Sequence, residues 1–179
     1  MKQRIKTVAL GLLVVGLVVA NYDMAFGHKW WKYHWHKSTL GVMRWNCVTE
    51  ADAARVDWDS HTDLSLPVKG SHTDISVWCG NFGNTGWKGL ASLEDVDWDT
   101  WHCFWWCKIK HGHARENTYY GQSGGASSES RRRGTLCQEI GHTFGLDHSN
   151  TGGCMAKSYY TPWSNVTNAH NWADVNAMY

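Results

Sequence analysis

The sequence lacks both a long apolar run and a large excess of either charge, and each absence argues against one class of protein: membrane-spanning proteins and nucleic-acid-binding proteins. Its 179 residues carry 17 basic and 16 acidic side chains, for a formal net charge of +1. Because nucleic-acid binding requires a strongly basic face, we expect no nucleic-acid partner. The longest apolar run, Val8 to Ala20, falls short of the about 20 residues that cross a bilayer. We therefore expect no stable membrane span in the mature protein.

The N-terminal residues have the pattern of a secretory signal peptide. A basic start, Met1 to Lys6, precedes the apolar run, as the n-region precedes the h-region in such peptides. Cleavage after Ala20 or after Gly27 fits the sequence, and we prefer Gly27 because the globular pattern follows it directly. An uncleaved N-terminal anchor is the alternative. Residues 1–27 hold three basic residues and one acidic residue, a net +2, so residues 28–179 carry −1. They form one domain's length of a secreted, extracellular protein, which we expect to be a monomer.

The cysteine count supports an oxidising compartment. Six cysteines follow the signal peptide: Cys47, Cys79, Cys103, Cys107, Cys137 and Cys154. An even number in a secreted chain predicts disulfides, although six cysteines allow fifteen pairings. The chain also has 13 tryptophans, concentrated in segments 30–35 and 98–106. They are either packing residues or a platform for a glycan or another surface.

Hydrophobic periodicity predicts strands and helices in a mixed order. We expect strands over 39–45, 73–79, 88–94 and 107–113, and helices over 49–60, from residue 127 or 128 onward, and over 168–178. Thr49, with Asp52 three residues later, is the start signal of the first helix. In the strand over 73–79, Ile75, Val77 and Cys79 alternate with polar residues, which predicts a half-buried strand.

The strand over 107–113 contains two histidines. Its alternation places Cys107, Ile109, His111 and His113 on one face. His111 and His113 are therefore candidates to ligate one metal ion. The alternative is a pair of polar residues on an exposed strand face.

The predicted second helix has a core stripe and a separate polar face. Leu136, Ile140 and Phe144 recur every four residues, so they face the core. Gln138 and Glu139 then point elsewhere, towards a cleft.

That helix leads into the stretch Cys-Gln-Glu-Ile-Gly-His-Thr-Phe-Gly-Leu-Asp-His-Ser, around which the chain is organised. Gln138 and His142 lie one turn apart on one helix face, with Glu139 beside them. Gly145 permits a sharp turn because glycine accepts positive φ. The turn would bring His148 back towards His142 and form a metal site with an adjacent carboxylate.

This stretch resembles the extended zinc signature of the metzincin metalloproteases, H-E-x-x-H-x-x-G-x-x-H. Four positions match it: Glu139, His142, Gly145 and His148. The run that ends in Ser149 looks most like the matrixin branch, and Met155 matches the methionine of the turn under the metal. The chain is also similar to small secreted bacterial proteins that contain Cys-Gln-Glu-Ile-Gly-His and a later Cys-Met.

The resemblance covers roughly residues 38–179 and implies an α+β, zincin-like catalytic domain. That domain has a twisted mixed β-sheet, an active-site helix, a methionine turn and a C-terminal helix. It implies a zinc endopeptidase, in which metal-activated water attacks the peptide bond and Glu139 is the general base. His142, His148 and Gln138 would be the zinc ligands, and an additional structural metal is compatible with the family.

The resemblance also implies where substrate and disulfides lie. A peptide or protein substrate would add as a strand to the edge strand, at Gly89, Leu90 and Ala91. A Cys137–Cys154 disulfide would fasten the methionine turn to the helix. The resemblance does not assign the other four cysteines; a local pair of Cys103 with Cys107, which would leave Cys47 with Cys79, is one arrangement open to them.

Gln138 stands where the family has its first histidine ligand. A neutral amide oxygen is a poorer zinc ligand than imidazole, so three outcomes are open. Gln138 ligates weakly, or another histidine such as His111, His113 or His170 takes its place, or the metal site is vestigial.

Two other functions fit the sequence. One is a catalytically weak or inactive binding module on the same fold, whose tryptophan-rich segments, with Trp105 and Trp106, contact cell wall, glycan or a protein surface. The other is a copper enzyme built on an N-terminal His28, which depends on cleavage after Gly27.

Overall fold

The computed structural model describes residues 32–97, 107–120, 126–157 and 164–179. The expected signal peptide over residues 1–27 lies outside the described residues. So do His28, the tryptophan-rich segment over 98–106, and the first two residues of the segment over 30–35.

Strands and helices alternate in a mixed order, which confirms the α+β class. The five strands are β1 Tyr33–His34, β2 Val42–Trp45, β3 Ile75–Gly80, β4 Gly89–Asp97 and β5 Cys107–Asn117. The helices are α1 Val48–His61, α2 Ala126–Thr143 and α3 Ala169–Asn176, with a short 3-10 turn over Thr118–Tyr120.

The strands form one mixed sheet with β5 near its centre. β2, β3 and β5 are parallel neighbours in that order, and β1 pairs in parallel with the start of β5. β4 pairs antiparallel with the other side of β5. Within the described part of the chain β4 has no second neighbour, so it is an edge strand, as expected for residues 88–94.

The two long helices bury their apolar faces against the sheet and each other. Leu136, Ile140 and Phe144 are 0% exposed, so the predicted core stripe of α2 is confirmed. The fully buried ring of Trp58 on α1 meets Phe144 edge-on, with ring centroids 5.4 Å apart. Its indole N–H donates to the Cys137 carbonyl at 3.0 Å, which fixes α1 against α2 close to the signature.

The start of α1 differs from the prediction based on Thr49. The helix begins at Val48, and the residue before it, Cys47, makes no side-chain capping bond. Cys47 has a φ of 23° and forms a disulfide with Cys79 at the end of β3. Helix α1 therefore begins directly after a covalent link to the sheet and without a hydroxyl cap.

The predicted buried face of β3, formed by Ile75, Val77 and Cys79, is confirmed, and the opposite face is covered in part, at Ser76 but not fully at Trp78. Ser76 is 5% exposed and lies between Ile75 and Val77, which are both 0% exposed. β3 lies between two parallel strands, and strands inside parallel sheets are usually covered on both sides.

β5 does not keep the single alternation that the sequence indicated. The register between β4 and β5 skips Glu94 on β4 and Lys110 on β5, which is the mark of a β-bulge. Before it Ile109 is buried, and after it Gly112 is the buried residue. His111 and His113 therefore lie on the sheet face opposite that of Ile109, not on the same face.

Two disulfides lie within the described residues. Cys137 is bonded to Cys154 and Cys47 to Cys79, and the α-carbons are 5.9 Å apart in each pair. The first matches the implied pairing and the second matches the open arrangement, whereas the pairing of Cys103 with Cys107 lies outside the described residues. Disulfides are consistent with a secreted protein. A search of the described residues for a helix that could cross a membrane found none.

Candidate metal centre

The signature helix α2 ends in a glycine turn that reverses the chain. The Leu146 N–H bonds the Gly141 carbonyl at 3.3 Å, and the Gly145 N–H bonds the His142 carbonyl at 3.0 Å. These bonds define a Schellman motif. Gly145 has a φ of 94°, which only glycine adopts without strain. A Cβ there would also overlap the Tyr33 carbonyl oxygen, so the turn requires glycine for two reasons.

The turn brings the two signature histidines together. The Nε2 atoms of His142 and His148 are 3.2 Å apart, and the rings meet at 72°. Two imidazole nitrogens bound tetrahedrally to one zinc ion at 2.0–2.1 Å would lie about 3.3 Å apart. The pair therefore fits two ligands of one zinc ion.

His142 is held in the form that a metal ligand needs. Its Nδ1 lies 2.8 Å from the Leu146 carbonyl oxygen, so Nδ1 carries the proton and Nε2 presents its lone pair. Burial lowers the pKa of His142 to about 4, so the ring is neutral at neutral pH. Binding of a metal then requires no loss of a proton from this residue.

Glu139 lies in a nearly closed space between α2 and β4. It is 6% exposed and accepts a hydrogen bond from the Ala91 backbone amide. Burial raises the pKa of Glu139 to about 8, because a carboxylate loses hydration there. Such a carboxyl group exchanges a proton near neutral pH, as a general acid–base residue must.

Gln138 lies on the same face of α2, half-buried and one turn before His142. Its amide nitrogen donates to the Ala156 carbonyl oxygen at 3.2 Å. A glutamine at this position would ligate a metal through its amide oxygen, the weakest ligand type of the three.

The methionine turn lies directly under the signature helix. Met155 is 1% exposed, and a Cβ on Gly141 would overlap its sulfur. The backbone of Ser149 bonds that of Met155 at 2.7 Å, and the Cys137–Cys154 disulfide joins the turn to α2. The residues that follow the last histidine are thus tied back to the helix that carries the first.

The other histidines considered as replacement ligands lie elsewhere. A Cβ on Gly112 would contact Thr143 of α2 at 3.1 Å, so its neighbours His111 and His113 point to the opposite face of the sheet. There His113 pairs with Glu94 at 2.8 Å. His170 pairs with Asp174 at 3.3 Å within α3.

No three His, Cys, Asp or Glu side chains within the described ranges are close enough to hold a metal ion together. Gln138, one helical turn from His142, is the residue of another type that the signature supplies.

Sequence reasoning did not find the backbone groups that organise the site. The carbonyl oxygens of Leu146 and Ala156 and the amide of Ala91 have no signal in a residue pattern. The indole N–H of Trp35 caps the Thr143 carbonyl at 2.8 Å, and Trp35 is 2% exposed, so for this tryptophan of the 30–35 segment the packing alternative applies. Gly89 is the one residue that carries a weak signal of the contact between β4 and Glu139. Glycine weakens the interior of a strand, and its presence there often marks a place where another group approaches closely.

Comparison with known proteins adds little to this geometry. No family model matches the chain, and no curated protein matches it. A solved structure, that of myroilysin, aligns with 12% sequence identity and a TM-score of 0.45. The alignment covers 70% of this chain and 57% of that one, so this chain spans little more than half the length of the myroilysin structure.

Proposed function

We propose that the protein is a secreted, zinc-dependent endopeptidase of metzincin type. The observation that carries the proposal is the pair of Nε2 atoms of His142 and His148, 3.2 Å apart, at the end of the helix that also carries the buried carboxyl group of Glu139. Two converging imidazoles and one adjacent acid–base carboxyl group are the minimal equipment of a zinc hydrolase.

The residues would divide the work as follows. His142, His148 and the amide oxygen of Gln138 would hold zinc, which supplies Lewis acidity when bound. Glu139 would accept a proton from the attacking water and return it to the leaving amine. Its burial at 6% exposure excludes bulk water from that exchange.

The substrate would be an extended peptide that adds to the edge strand β4. The Asn117 amide bonds the Lys88 carbonyl at 2.8 Å, so Lys88 and alternate residues after it face β5. Gly89, Ala91 and Leu93 then direct their amides and carbonyls away from the sheet. The Ala91 amide is bonded to Glu139, so a peptide strand would pair with the other outward groups of this edge, among them the amide and carbonyl of Gly89.

Zinc content and peptide cleavage test the proposal together. The purified protein should retain zinc after gel filtration and cleave casein, and cleavage should stop on chelation. Glu139→Gln should abolish cleavage and leave zinc in place, because this residue is not a ligand. As a matched control, Glu129→Gln changes an exposed glutamate at the far end of α2 and should leave both unchanged. Absence of both zinc and cleavage in the wild type would contradict the proposal and favour the binding module.

A further inference from the structure

The edge strand β4 approaches the general base closely at a single glycine. A Cβ on Gly89 would overlap Oε1 of Glu139, and it would lie 2.8 Å from Cδ of Glu139 and 2.6 Å from Cγ2 of Thr135. Real Cβ atoms do not come this near to other heavy atoms. The missing side chain of Gly89 is therefore the space that the Glu139 carboxyl group occupies.

A second contact from the same strand holds the carboxyl group. The Ala91 amide donates to Glu139. Ala91 is two residues beyond Gly89, so the two residues face the same side of the sheet. Because Lys88 faces β5, the Ala91 amide is one of the outward amides of the edge. It is thus free of the β5 ladder and available to the carboxylate.

We infer that Gly89 and Ala91 are positioning residues for Glu139: the glycine provides the space and the amide provides the hydrogen bond that together fix its carboxyl group between β4 and α2. This inference rests on the proposed function for its catalytic consequence. β4 then serves two purposes, since the strand that would bind the peptide also sets the place of the base.

Gly89 differs from a strand glycine that is needed for its backbone conformation. Its φ is not in the left-handed region, so alanine fits its backbone, and the three heavy atoms nearest to a Cβ belong to the Glu139 carboxyl group and to Thr135. That Cβ would point towards α2 and not along the open edge. Gly89→Ala should therefore disturb the base without blocking the peptide.

The first test is a double-mutant cycle on the whole chain, which needs no activity. Urea unfolding is measured for the wild type, Gly89→Ala, Glu139→Ala and the double variant. Gly89→Ala should destabilise the protein and lower the ratio of folded to unfolded molecules roughly tenfold, the scale of overpacking. In the Glu139→Ala background most of that loss should disappear, because the Cβ then enters vacated space.

Two controls sharpen the cycle. Gly70→Ala introduces a Cβ with no heavy atom within 4 Å and should leave stability unchanged. Thr135→Ser removes Cγ2 and should relieve only a minor part of the loss. If Gly89→Ala costs the same with and without the Glu139 side chain, or if Thr135→Ser alone restores stability, the inference is overturned.

The second test measures whether Gly89→Ala changes kcat or KM. Gly89→Ala should lower kcat on a model peptide by roughly 100-fold, the scale for a reacting group displaced by about 1 Å, with KM nearly unchanged. A fall in kcat/KM through KM alone would show that Gly89 acts on the substrate and would overturn the positioning role. If the wild type neither binds zinc nor cleaves, the proposed function fails and the catalytic role falls with it. The cycle would still report separately whether the contact exists.

Discussion

Glutamine at position 138 is the residue that most distinguishes this candidate site from the three-histidine zinc signature. It shares a helix face with His142, and its amide nitrogen is engaged by the Ala156 carbonyl at 3.2 Å. An imidazole at this position would be a stronger ligand than an amide oxygen. The helix, the glycine turn and the second histidine are all in place around it, so one side chain separates this site from the full three-histidine signature.

Gln138→His should therefore strengthen the metal site. We expect zinc affinity to rise roughly tenfold or more, the scale on which single supporting groups change metal sites, and cleavage to rise with it. Competition with a chromophoric chelator measures the affinity, and the same substitution with Glu139→Gln should bind zinc as tightly without cleaving. Unchanged affinity would show that the residue at position 138 does not face the metal.

Glu116 is a second buried carboxyl group, opposite Gly89 in the sheet, and it makes stability depend on pH. It is 4% exposed, and its Oε2 has no hydrogen-bond partner among the described residues. Burial raises the pKa of Glu116 from 4.5 to about 7, opposed by the nearby Arg132 and assisted by Glu50. Between these two pH values the folded state holds a proton that the unfolded state has lost, so this group makes the protein less stable as pH rises.

Glu116→Gln cannot ionise and should remove that loss. Relative to the wild type, the variant should gain stability as pH rises from 5 to 8, by at most about 3 kcal/mol. Urea unfolding at several pH values measures the difference, which cancels the titration of the other groups. Stability curves that stay parallel across this range would contradict the assignment.

At the scale of elements, the turn between α2 and the following segment determines where His148 lies relative to His142 in the candidate metal centre. The last carbonyls of the helix are bonded by side chains from distant parts of the chain. Trp35 bonds the Thr143 carbonyl at 2.8 Å, and the Tyr179 hydroxyl bonds the Phe144 carbonyl at 2.7 Å. The helix end is thereby fixed from both termini of the domain, and Gly145 then directs His148 towards His142.

Gly145→Ala should test this turn. It forces a Cβ into the left-handed region and against the Tyr33 carbonyl oxygen, so we expect a loss of about 1–3 kcal/mol of stability and of zinc retention. Thermal unfolding and zinc content measure the two effects. Gly70→Ala, which has open space around its Cβ, is the matched control. Full zinc retention in Gly145→Ala would show that the turn does not set the position of His148.

At the scale of the whole molecule, two disulfides fasten the helices to the rest of the fold. Cys47–Cys79 links the start of α1 to the end of β3, and Cys137–Cys154 links α2 to the methionine turn. They close loops of different length, with sequence separations of 32 and 17 residues. Only the second lies beside the candidate metal centre.

Removal of each disulfide should therefore have different consequences. Replacing Cys137 and Cys154 by serine should cost about 2–4 kcal/mol of stability and release zinc. The same change at Cys47 and Cys79 should cost a similar amount but spare zinc binding in the protein that remains folded. Urea unfolding and zinc content distinguish them. Equal zinc loss in both variants would show that the methionine turn has no special role.

The sequence by itself determined the features that depend on spacing along one helix. The core stripe of Leu136, Ile140 and Phe144, the proximity of Gln138, Glu139 and His142, and the turn at Gly145 all follow from helical periodicity and from glycine's freedom at positive φ. The Cys137–Cys154 bond was implied by the family resemblance alone.

Only the tertiary structure decided the features that depend on contacts between distant segments. The bulge at Lys110 turned His111 and His113 away from α2 because strand pairing, not alternation along one strand, sets the face. Helix α1 begins after the disulfide-bonded Cys47 and not at a capping hydroxyl of Thr49. The seat of Glu139 against Gly89 arises where an edge strand meets a helix about 50 residues later in the chain, and no pattern local to either segment encodes that meeting.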